Sequence, residues 1–295
     1  MSALKKQRIT ANILLLTTMS SAIRLMAPVK SSVVNSNFPL DAPPVTIGTH
    51  DGSFHCDEAL AIAMLKILPK YANAPVVRTR NASILQQCSI VVDVGAEYKP
   101  EEHRYDHHQR EFIGTLEPFR TKLSSAGLVY KHFGRDILRE ILQNVTEGGE
   151  SALSDSFIEI CFEKVYKDFM EHIDAIDNGV SIADTPSKYH VSTTLSARVG
   201  ELNPAWNEEQ TADVYNSKFV DAMMLTGSEF IAKVEKLSSS WWPARSIVQR
   251  AIDERNVNHS SGQIVVLEKS CPWKDHLFDI EEEQVCLLSL HLSHC

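Results

Sequence analysis

Histidine and acidic residues are concentrated in one part of this chain, where short apolar segments end. The residues are His50, His55, Asp57, Asp93, Asp106, His107 and His108. Imidazole and carboxylate groups bind borderline and hard divalent cations. Such groups also gather on ordinary surfaces, but ligand sites in parallel α/β proteins form where strands end. The pattern therefore predicts a metal-dependent hydrolase.

The first group lies in a segment that follows one apolar run and leads into a helix. His50, His55 and Asp57 supply three potential ligands, and Gly52 allows a tight turn between them. In the alternative interpretation, Asp57 only caps the helix and the histidines lie on the surface. Asp93 ends a wholly apolar segment, where a carboxylate needs a partner or a metal. Its alternative role is to cap a turn.

The triplet Asp106-His107-His108 forms the next group. One histidine can bind metal while the other faces substrate, with a neighbouring carboxylate fixing the ring. The alternative is an ordinary polar loop.

Two carboxylates lie near the end of a long predicted helix. Asp177 is one turn beyond Ile173, on the predicted inward face, and we favour it as a ligand. Asp174 is the alternate ligand or a support for one. In a simpler interpretation, both are solvated helix-end carboxylates. The combined set suits a pair of Mn²⁺ or Mg²⁺ ions about 4 Å apart, whereas a single zinc site uses fewer ligands.

The elements that must position these residues alternate between strand and helix. Apolar periodicity predicts strands at 45–49, 75–79 and 90–95, and helices at 57–68 and 82–87. This order indicates a parallel sheet with right-handed crossovers. Further helices are predicted at 126–142, 154–177, 212–237 and 244–256, and a new strand at 262–267. The stripe Phe162, Val165, Phe169, Ile173 and Ile176 is interpreted as core.

Composition limits the classes of partner. The 295 residues carry a net charge of -9, which argues against coating nucleic acid through a broad basic face. An enzyme that binds a few phosphates through metal remains compatible. Six cysteines without a CxxC pair favour a reducing compartment. No segment reaches transmembrane length, so we expect no membrane partner.

The first forty residues are basic and rich in Ser and Thr, and no acidic residue precedes Asp41. This composition is typical of a mitochondrial presequence. The alternative is a disordered tail without a targeting role.

Several sequence motifs resemble those of the DHH phosphoesterase superfamily, which includes RecJ-type exonucleases and manganese pyrophosphatases. They resemble more closely those of the melanocyte proliferating gene one family. The similar motifs are Gly48-Thr49-His50, Phe54-His55-Cys56-Asp57-Glu58-Ala59-Leu60, Val91-Val92-Asp93-Val94-Gly95, Arg104-Tyr105-Asp106-His107-His108-Gln109-Arg110, Thr121-Lys122-Leu123-Ser124-Ser125-Ala126-Gly127, Asp174-Ala175-Ile176-Asp177-Asn178-Gly179, Thr194-Leu195-Ser196-Ala197-Arg198 and Cys271-Pro272-Trp273-Lys274. The resemblance implies a metal-dependent 3′-5′ RNA exonuclease of mitochondrial matrix and nucleus, with RNA as substrate. A homo-oligomer is also compatible.

The resemblance also assigns roles to residues. The implied metal ligands are His50, His55, Asp57, Asp93, His107 and Asp177, with Asp174 as alternate. Asp93, Asp106, His107 and His108 form the implied catalytic group, in which metals would activate a hydroxide. The implied phosphate or substrate contacts are His108, Arg110, Ser124, Ser125 and Arg198; for Arg198 the alternative is a surface salt bridge. Many superfamily relatives have a carboxylate at the position of His55.

The implied fold class is α/β. We expect a targeting or disordered segment at 1–44, a parallel-sheet DHH phosphoesterase domain at 45–200, a helical connector at 201–258 and an incomplete second α/β domain at 259–295. Relatives continue well past Cys-Pro-Trp-Lys, so we expect a truncated form. Two alternatives to the nuclease remain: a small-molecule phosphohydrolase acting on dinucleotides or pyrophosphate, and a metal-binding but inactive isoform.

Overall fold

The computed structural model describes residues 21–32, 34–35, 45–145, 154–186 and 188–292. The strands are β1 Val34–Asn35, β2 Ile47–Thr49, β3 Val76–Arg78, β4 Ile90–Val92, β5 Tyr98–Lys99 and β6 Arg104–Tyr105. The helices are α1 Ser21–Lys30, α2 Cys56–Ile67, α3 Ala82–Leu85, α4 Ser125–Val145, α5 Asp155–Val165, α6 Glu171–Asp177, α7 Leu195–Gly200, α8 Ala212–Lys236, α9 Ala244–Asp253, α10 Arg255–Asn258 and α11 Lys274–Leu292.

One mostly parallel sheet organises the first part of the chain, which confirms the predicted α/β class. Its strand order is β1-β3-β2-β4-β6-β5, and only the β5–β6 pair is antiparallel. β2, β3, β4 and β6 therefore end at the same edge of the sheet. The predicted β-α-β-α-β order from residue 45 to residue 95 is confirmed. The sequence analysis missed β1, β5 and β6, since a strand of two residues shows no periodicity.

The core of this region lies between the sheet and helices α2 and α4. Every residue of α2 is buried, including the carboxylates Asp57 and Glu58 near its beginning. A helix that is apolar on most sides must be surrounded by other elements. Its first turn is therefore held rigidly at the edge of the sheet where the strands end.

The chain forms two compact units, one ending at Val234 and the other beginning at Glu235. The predicted domain boundaries after residues 44, 200 and 258 stay predictions. In the second unit, an apolar cluster of Val248, Ile252 and Ile280 forms the interior. His276 lies against Trp241 there, with ring centroids 4.1 Å apart.

The strand predicted at residues 262–267 is wrong. These residues have no regular structure, and the described part of the second unit is helical, ending in α11. Ile264 and Val266 are 46% and 56% exposed, and the described residues provide no strand that pairs with this segment. An apolar run predicts a strand only where a sheet is available to receive it.

Part of the segment predicted at 1–44 to be a targeting or disordered segment has regular structure. Residues 1–20, 33 and 36–44 lie outside the described residues, so the predicted presequence cannot be compared there. Within the described residues, α1 buries Met26 and Val29, and β1 pairs with β3 in the sheet. This segment is thus part of the first unit.

The long helix predicted at 154–177 is interrupted by a π-helical turn at Tyr166–Met170. A π turn contains an extra residue and rotates the following helix relative to the preceding one. Consequently Asp174 is fully buried, whereas Ile176, a predicted core residue, is 41% exposed. The rest of the predicted stripe is buried or half-buried.

No helix in the described ranges is long and apolar enough to cross a membrane.

Candidate metal centre

The ends of β2, β4 and β6 and the beginning of α2 bring the predicted ligands together. His50 follows β2, Asp93 follows β4, and His107 follows β6. All three side chains are buried, at 3%, 4% and 4% exposure. Asp177, at the end of α6, reaches the same place: its Oδ2 lies 3.1 Å from His107 Nε2.

Asp93 lies between two groups of potential ligands. Its Oδ2 is 3.3 Å from His50 Nε2, and its Oδ1 is 3.5 Å from His107 Nε2. The first group consists of His50, His55, Glu58 and Asp93. The second consists of two overlapping sets around His107, one of Asp93, His107 and His108 and the other of Asp57, His107 and Asp177. Asp93 thus directs one carboxylate oxygen toward each group.

The second group contains buried polar atoms that make no well-directed hydrogen bond within the described chain. Both carboxylate oxygens of Asp57 and both ring nitrogens of His107 lack a well-directed hydrogen bond. Buried polar atoms normally have partners, and exceptions require an explanation such as an ion. The donor set of carboxylates and imidazole fits a divalent cation, which would supply a partner for the Asp57 carboxylate and for one ring nitrogen of His107.

The pKa shifts of Asp57 and His50 also indicate that the centre binds a cation. Burial and the nearby charges of Asp93, Asp177 and Glu58 raise the pKa of Asp57 well above its usual range. Burial disfavours the charged form of His50, but hydrogen bonds with Asp93 and Glu58 outweigh it and raise its pKa to about 10. Several carboxylates around two imidazoles thus form a site that requires positive charge, from protons or from a metal ion.

In Asp93 and His107 as well, burial and contacts with oppositely charged groups shift the pKa in opposite directions. Burial alone would raise the pKa of Asp93, but hydrogen bonds with His107 and His50 hold it well below its usual range. Burial alone would lower the pKa of His107, but the nearby carboxylates of Asp177 and Asp93 raise it to about 9.

Asp106 and His108 form a pair beside the centre. Asp106 Oδ1 lies 2.7 Å from His108 Nδ1, and Asp106 Oδ2 accepts a hydrogen bond from the Ala96 amide. The Asp106 hydrogen bond is the main reason that the pKa of His108 is raised. Asp106 is buried, and 61% of the His108 side chain is exposed. Asp106 therefore fixes the ring, and His108 faces the solvent where a substrate would bind.

Asp174 lies behind the centre. Its Oδ1 accepts hydrogen bonds from the Ser124 amide and hydroxyl, at 2.9 and 2.7 Å, and its Oδ2 accepts one from the Tyr166 hydroxyl. Burial raises the pKa of Asp174 to about 7, although these hydrogen bonds oppose the shift. Asp174 has its hydrogen-bond partners within the chain and belongs to none of the candidate ligand groups, so its predicted role as alternate ligand does not fit.

The predicted phosphate contacts require correction. Ser124 and Ser125 are fully buried, and the Ser125 hydroxyl donates to Asp93 Oδ1 at 3.0 Å. They connect α4 to the centre and do not face a substrate. Arg198 forms an ion pair with Glu229 at 2.5 Å, which matches the salt-bridge alternative. Arg110 is exposed.

Sequence reasoning did not select Glu58 as a ligand candidate. Its Oε1 accepts a hydrogen bond from the His55 amide at 2.8 Å and lies 3.0 Å from His50 Nε2. The signal was present: a glutamate three residues after a helix-capping position reaches back to the backbone of that position. This contact fixes the loop and places the Glu58 carboxylate among the ligands.

Buried residues outside the centre hold the loop between β2 and α2. Gly52 adopts a φ of 78°, as the predicted tight turn requires, and the buried Arg78 donates to Gly52 O at 2.7 Å. The Asn203 side chain forms hydrogen bonds with both the amide and the carbonyl of Phe54. His55 and Asp57 are therefore fixed by contacts on both sides of the loop.

Two cavities meet at the centre, and His55, Asp93 and His108 line both. The isoleucine cavity, about 290 Å³, is further lined by Phe54, Cys56, Ile173, Ile176, Asp177, Ser196 and Gly200. The arginine cavity, about 330 Å³, is further lined by His50, Arg80, Val94, Gly95, Ala96 and Asp106. A group held between His55, Asp93 and His108 would therefore have space on either side.

The chain is similar to known proteins over most of its length. A family model named MYG1_exonuc, described as "Uncharacterised protein family (UPF0160)", matches residues 46–290. The MYG1 exonuclease of Mus musculus is 49% identical over 252 residues, covering 83% of this chain and 64% of that protein. The MYG1 exonuclease of Homo sapiens is 47% identical over 255 residues, covering 83% and 65%.

The match extends beyond mammals. The MYG1 protein of Dictyostelium discoideum is 43% identical over 243 residues, covering 81% of this chain and 71% of that protein. The chain thus spans somewhat less than two thirds of the length of the mammalian relatives. No solved structure matches it.

Proposed function

This chain belongs to the MYG1 exonuclease family, and from that premise we propose that it is a metal-dependent phosphodiesterase. More specifically, we propose a 3′-5′ exonuclease that acts on RNA. The observation that carries the proposal is the position of Asp93, with one oxygen toward His50 and the other toward His107. Two adjacent ligand groups that share a carboxylate suit phosphodiester hydrolysis, where charge develops on attacking and leaving oxygens.

The chain would hold two divalent ions, Mn²⁺ or Mg²⁺, in the two ligand groups. Bound there, such ions lower the pKa of a water molecule and neutralise charge on phosphoryl oxygens. The residues of the chain orient this chemistry. Asp57 and His107 are buried and held by α2 and β6, and a rigid ligand set needs no reorganisation during reaction.

His108 is the residue placed to transfer a proton. Asp106 holds its Nδ1, which leaves Nε2 directed away from that carboxylate. The raised pKa of His108 keeps more of the ring protonated near neutral pH. From its position between the two cavities, His108 can donate a proton to a leaving oxygen.

Small phosphorylated substrates are the second candidate. The chain carries a net charge of -9, and Arg80 is the only lysine or arginine among the described residues that line the two cavities. This favours a short substrate, because a long polyanion is normally held by many cations. A dinucleotide or pyrophosphate would need fewer contacts.

A titration combined with turnover tests these proposals. We expect isothermal titration with Mn²⁺ to show two binding sites, and Mn²⁺-dependent release of mononucleotides from single-stranded RNA. Turnover of dinucleotide or pyrophosphate without RNA cleavage would select the second candidate. Mn²⁺ binding without turnover of any of the three would indicate an inactive metal-binding protein and contradict the enzyme proposal.

We propose mitochondrial matrix and nucleus as locations. The basic, acid-free composition of the first forty residues supports the first of these. Fluorescent tagging of the carboxyl terminus, with and without residues 1–20, measures this directly. Unchanged localisation after the deletion would contradict a presequence within those residues.

A further inference from the structure

The arginine cavity contains a cation that the proposed mechanism does not use. We propose that Arg80 binds a second phosphate of the substrate, one nucleotide away from the phosphate that is cleaved. This inference rests on the proposed function and adds a substrate requirement to it: a phosphodiester with another phosphoryl group on the Arg80 side.

The two cavities differ in chemistry. The isoleucine cavity has apolar walls from Phe54, Ile173 and Ile176, which suit a nucleobase. The arginine cavity is lined by Arg80 and the loop Val94-Gly95-Ala96. If the cleaved phosphate lies between the two cavities, the neighbouring phosphate of the substrate lies in the arginine cavity, where Arg80 provides a positive charge.

The arginine guanidinium is accessible and only loosely paired. Its Nε lies 3.3 Å from Asp51 Oδ1, and 65% and 52% of the two side chains are exposed. An exposed ion pair of this kind contributes little free energy. A phosphate can therefore replace Asp51 as the partner of Arg80, with a bidentate contact that arginine makes well.

The other contact of Arg80 is also replaceable. Arg80 Nη2 lies 3.3 Å from His50 Nδ1, but that nitrogen also lies 3.0 Å from Asp51 O. When His50 Nε2 faces the metal centre, Nδ1 carries the proton and donates it to the carbonyl. It then cannot accept a hydrogen bond from Arg80, so the guanidinium lacks an acceptor at this position.

Charge also favours the assignment. The centre contains Asp57, Glu58, Asp93 and Asp177, and an anionic substrate would be repelled without bound metal and a further cation. Among the described residues, Arg80 is the only lysine or arginine that lines either cavity. The other predicted phosphate contacts, Arg110 and Arg198, line neither cavity.

The test compares dinucleotides that differ only in a second phosphate. The probes are a dinucleoside monophosphate, the same compound with a 5′-terminal phosphate, and the same compound with a 3′-terminal phosphate. We expect the full chain with Mn²⁺ to prefer at least one phosphorylated form by about tenfold or more in kcat/KM, since a hydrogen bond to a charged group contributes about 1.5–3 kcal/mol. The preferred form identifies which end of the strand occupies the arginine cavity.

The variant Arg80→Gln should lose this preference, because its kcat/KM for the phosphorylated dinucleotide should fall by about tenfold more than its kcat/KM for the unphosphorylated one. Arg139→Gln is the matched control, because Arg139 also forms an ion pair with an exposed aspartate, Asp155, and lines neither cavity. An equal preference in the wild-type chain and in Arg80→Gln, or equal loss in Arg139→Gln, would overturn the proposal.

Binding separates this inference from the proposed function. If no phosphodiester is cleaved, isothermal titration of the same dinucleotides in the presence of Ca²⁺ still compares the wild-type chain with Arg80→Gln. Tighter binding of a phosphorylated form that disappears in Arg80→Gln supports the subsite even without turnover. Equal affinities for all three compounds contradict it.

Discussion

At the scale of single residues, the centre depends on carboxylates that have different functions. Asp93 faces both ligand groups, Asp106 fixes a histidine, and Asp174 is satisfied by hydroxyls behind the centre. Residue type alone does not separate these functions, since all three are buried aspartates. Their partners do.

Asp93→Asn tests the shared ligand. Asp93 has a φ of 58°, in the left-handed region that asparagine also tolerates, so the variant should keep the fold. The substitution removes the negative charge of the carboxylate that faces both ligand groups. We expect a loss of at least about 100-fold in metal-dependent kcat/KM, with an unchanged circular dichroism spectrum. Full activity of a pure Asp93→Asn preparation would refute the mechanism.

Asp106→Asn tests the orientation of His108. The amide cannot hold the imidazolium as the carboxylate does, so kcat should fall by about 10–100-fold while Mn²⁺ affinity stays nearly unchanged. The pH profile gives a second measurement, since loss of the Asp106 hydrogen bond should lower the pKa of His108. A large loss of Mn²⁺ affinity would instead show that Asp106 supports a metal ligand.

The pH dependence of stability tests the histidines. The pKa values of His50 and His107, about 10 and about 9, lie above the value of about 6.5 for an unfolded histidine. Their contribution to metal-free stability is therefore complete below about pH 6.5 and is lost as the pH rises through these values. Metal binding requires neutral imidazole, so stabilisation by Mn²⁺ should grow with pH.

Thermal unfolding measures this effect. We expect the increase in Tm caused by Mn²⁺, relative to a chelator, to be larger at about pH 8.5 than at about pH 6.5. A smaller increase at the higher pH would contradict the assignment of these histidines as ligands.

At the scale of elements, close packing of α4 against α6 places Asp174. A Cβ at Gly127 would collide with both Asp174 carboxylate oxygens. Gly127→Ala should therefore displace this carboxylate and destabilise the fold by about 1–3 kcal/mol. Gly200→Ala is the stability control, because a Cβ there meets no atom within 4 Å. Urea denaturation of both variants measures the difference, and equal stability would show that α4 can move away.

Sequence patterns predicted the elements that bear long apolar runs. The order from β2 to β4 follows from runs such as Ile90–Val92, whose buried side chains leave no polar face. The phase of the helix before Asp177 could not be predicted, because an α-helical period gives no sign of a π turn at Tyr166–Met170. The strand prediction at 262–267 was wrong for a different reason. A strand needs a neighbouring strand to pair with, and the described residues provide none there.

The candidate site was predictable to a similar extent. Ligands at the ends of strands were found because strand ends converge on one edge of a parallel sheet. The burial of Ser124 and Ser125 was not predictable, since it depends on contacts with Asp93 and Asp174 from distant parts of the chain. Arg80 was missed because its sequence surroundings contain no ligand-like residue.

At the scale of the whole molecule, the segment before the matched family region belongs to the folded first unit. Met26 and Val29 are buried, and β1 extends the sheet, although the family match begins at residue 46. A chain that begins at residue 45 should be less stable than one that begins at residue 21, by about 3–6 kcal/mol for two buried side chains. Urea denaturation of both chains measures this, and equal stability would contradict the packing of α1.

The backbone at Asp93 has an evolutionary consequence. A left-handed φ at this position disfavours most replacements, yet asparagine fits both the backbone and the space. The codons of aspartate and asparagine differ by one base. Under the proposed mechanism, a folded variant that has lost metal-dependent cleavage is thus a single point mutation away.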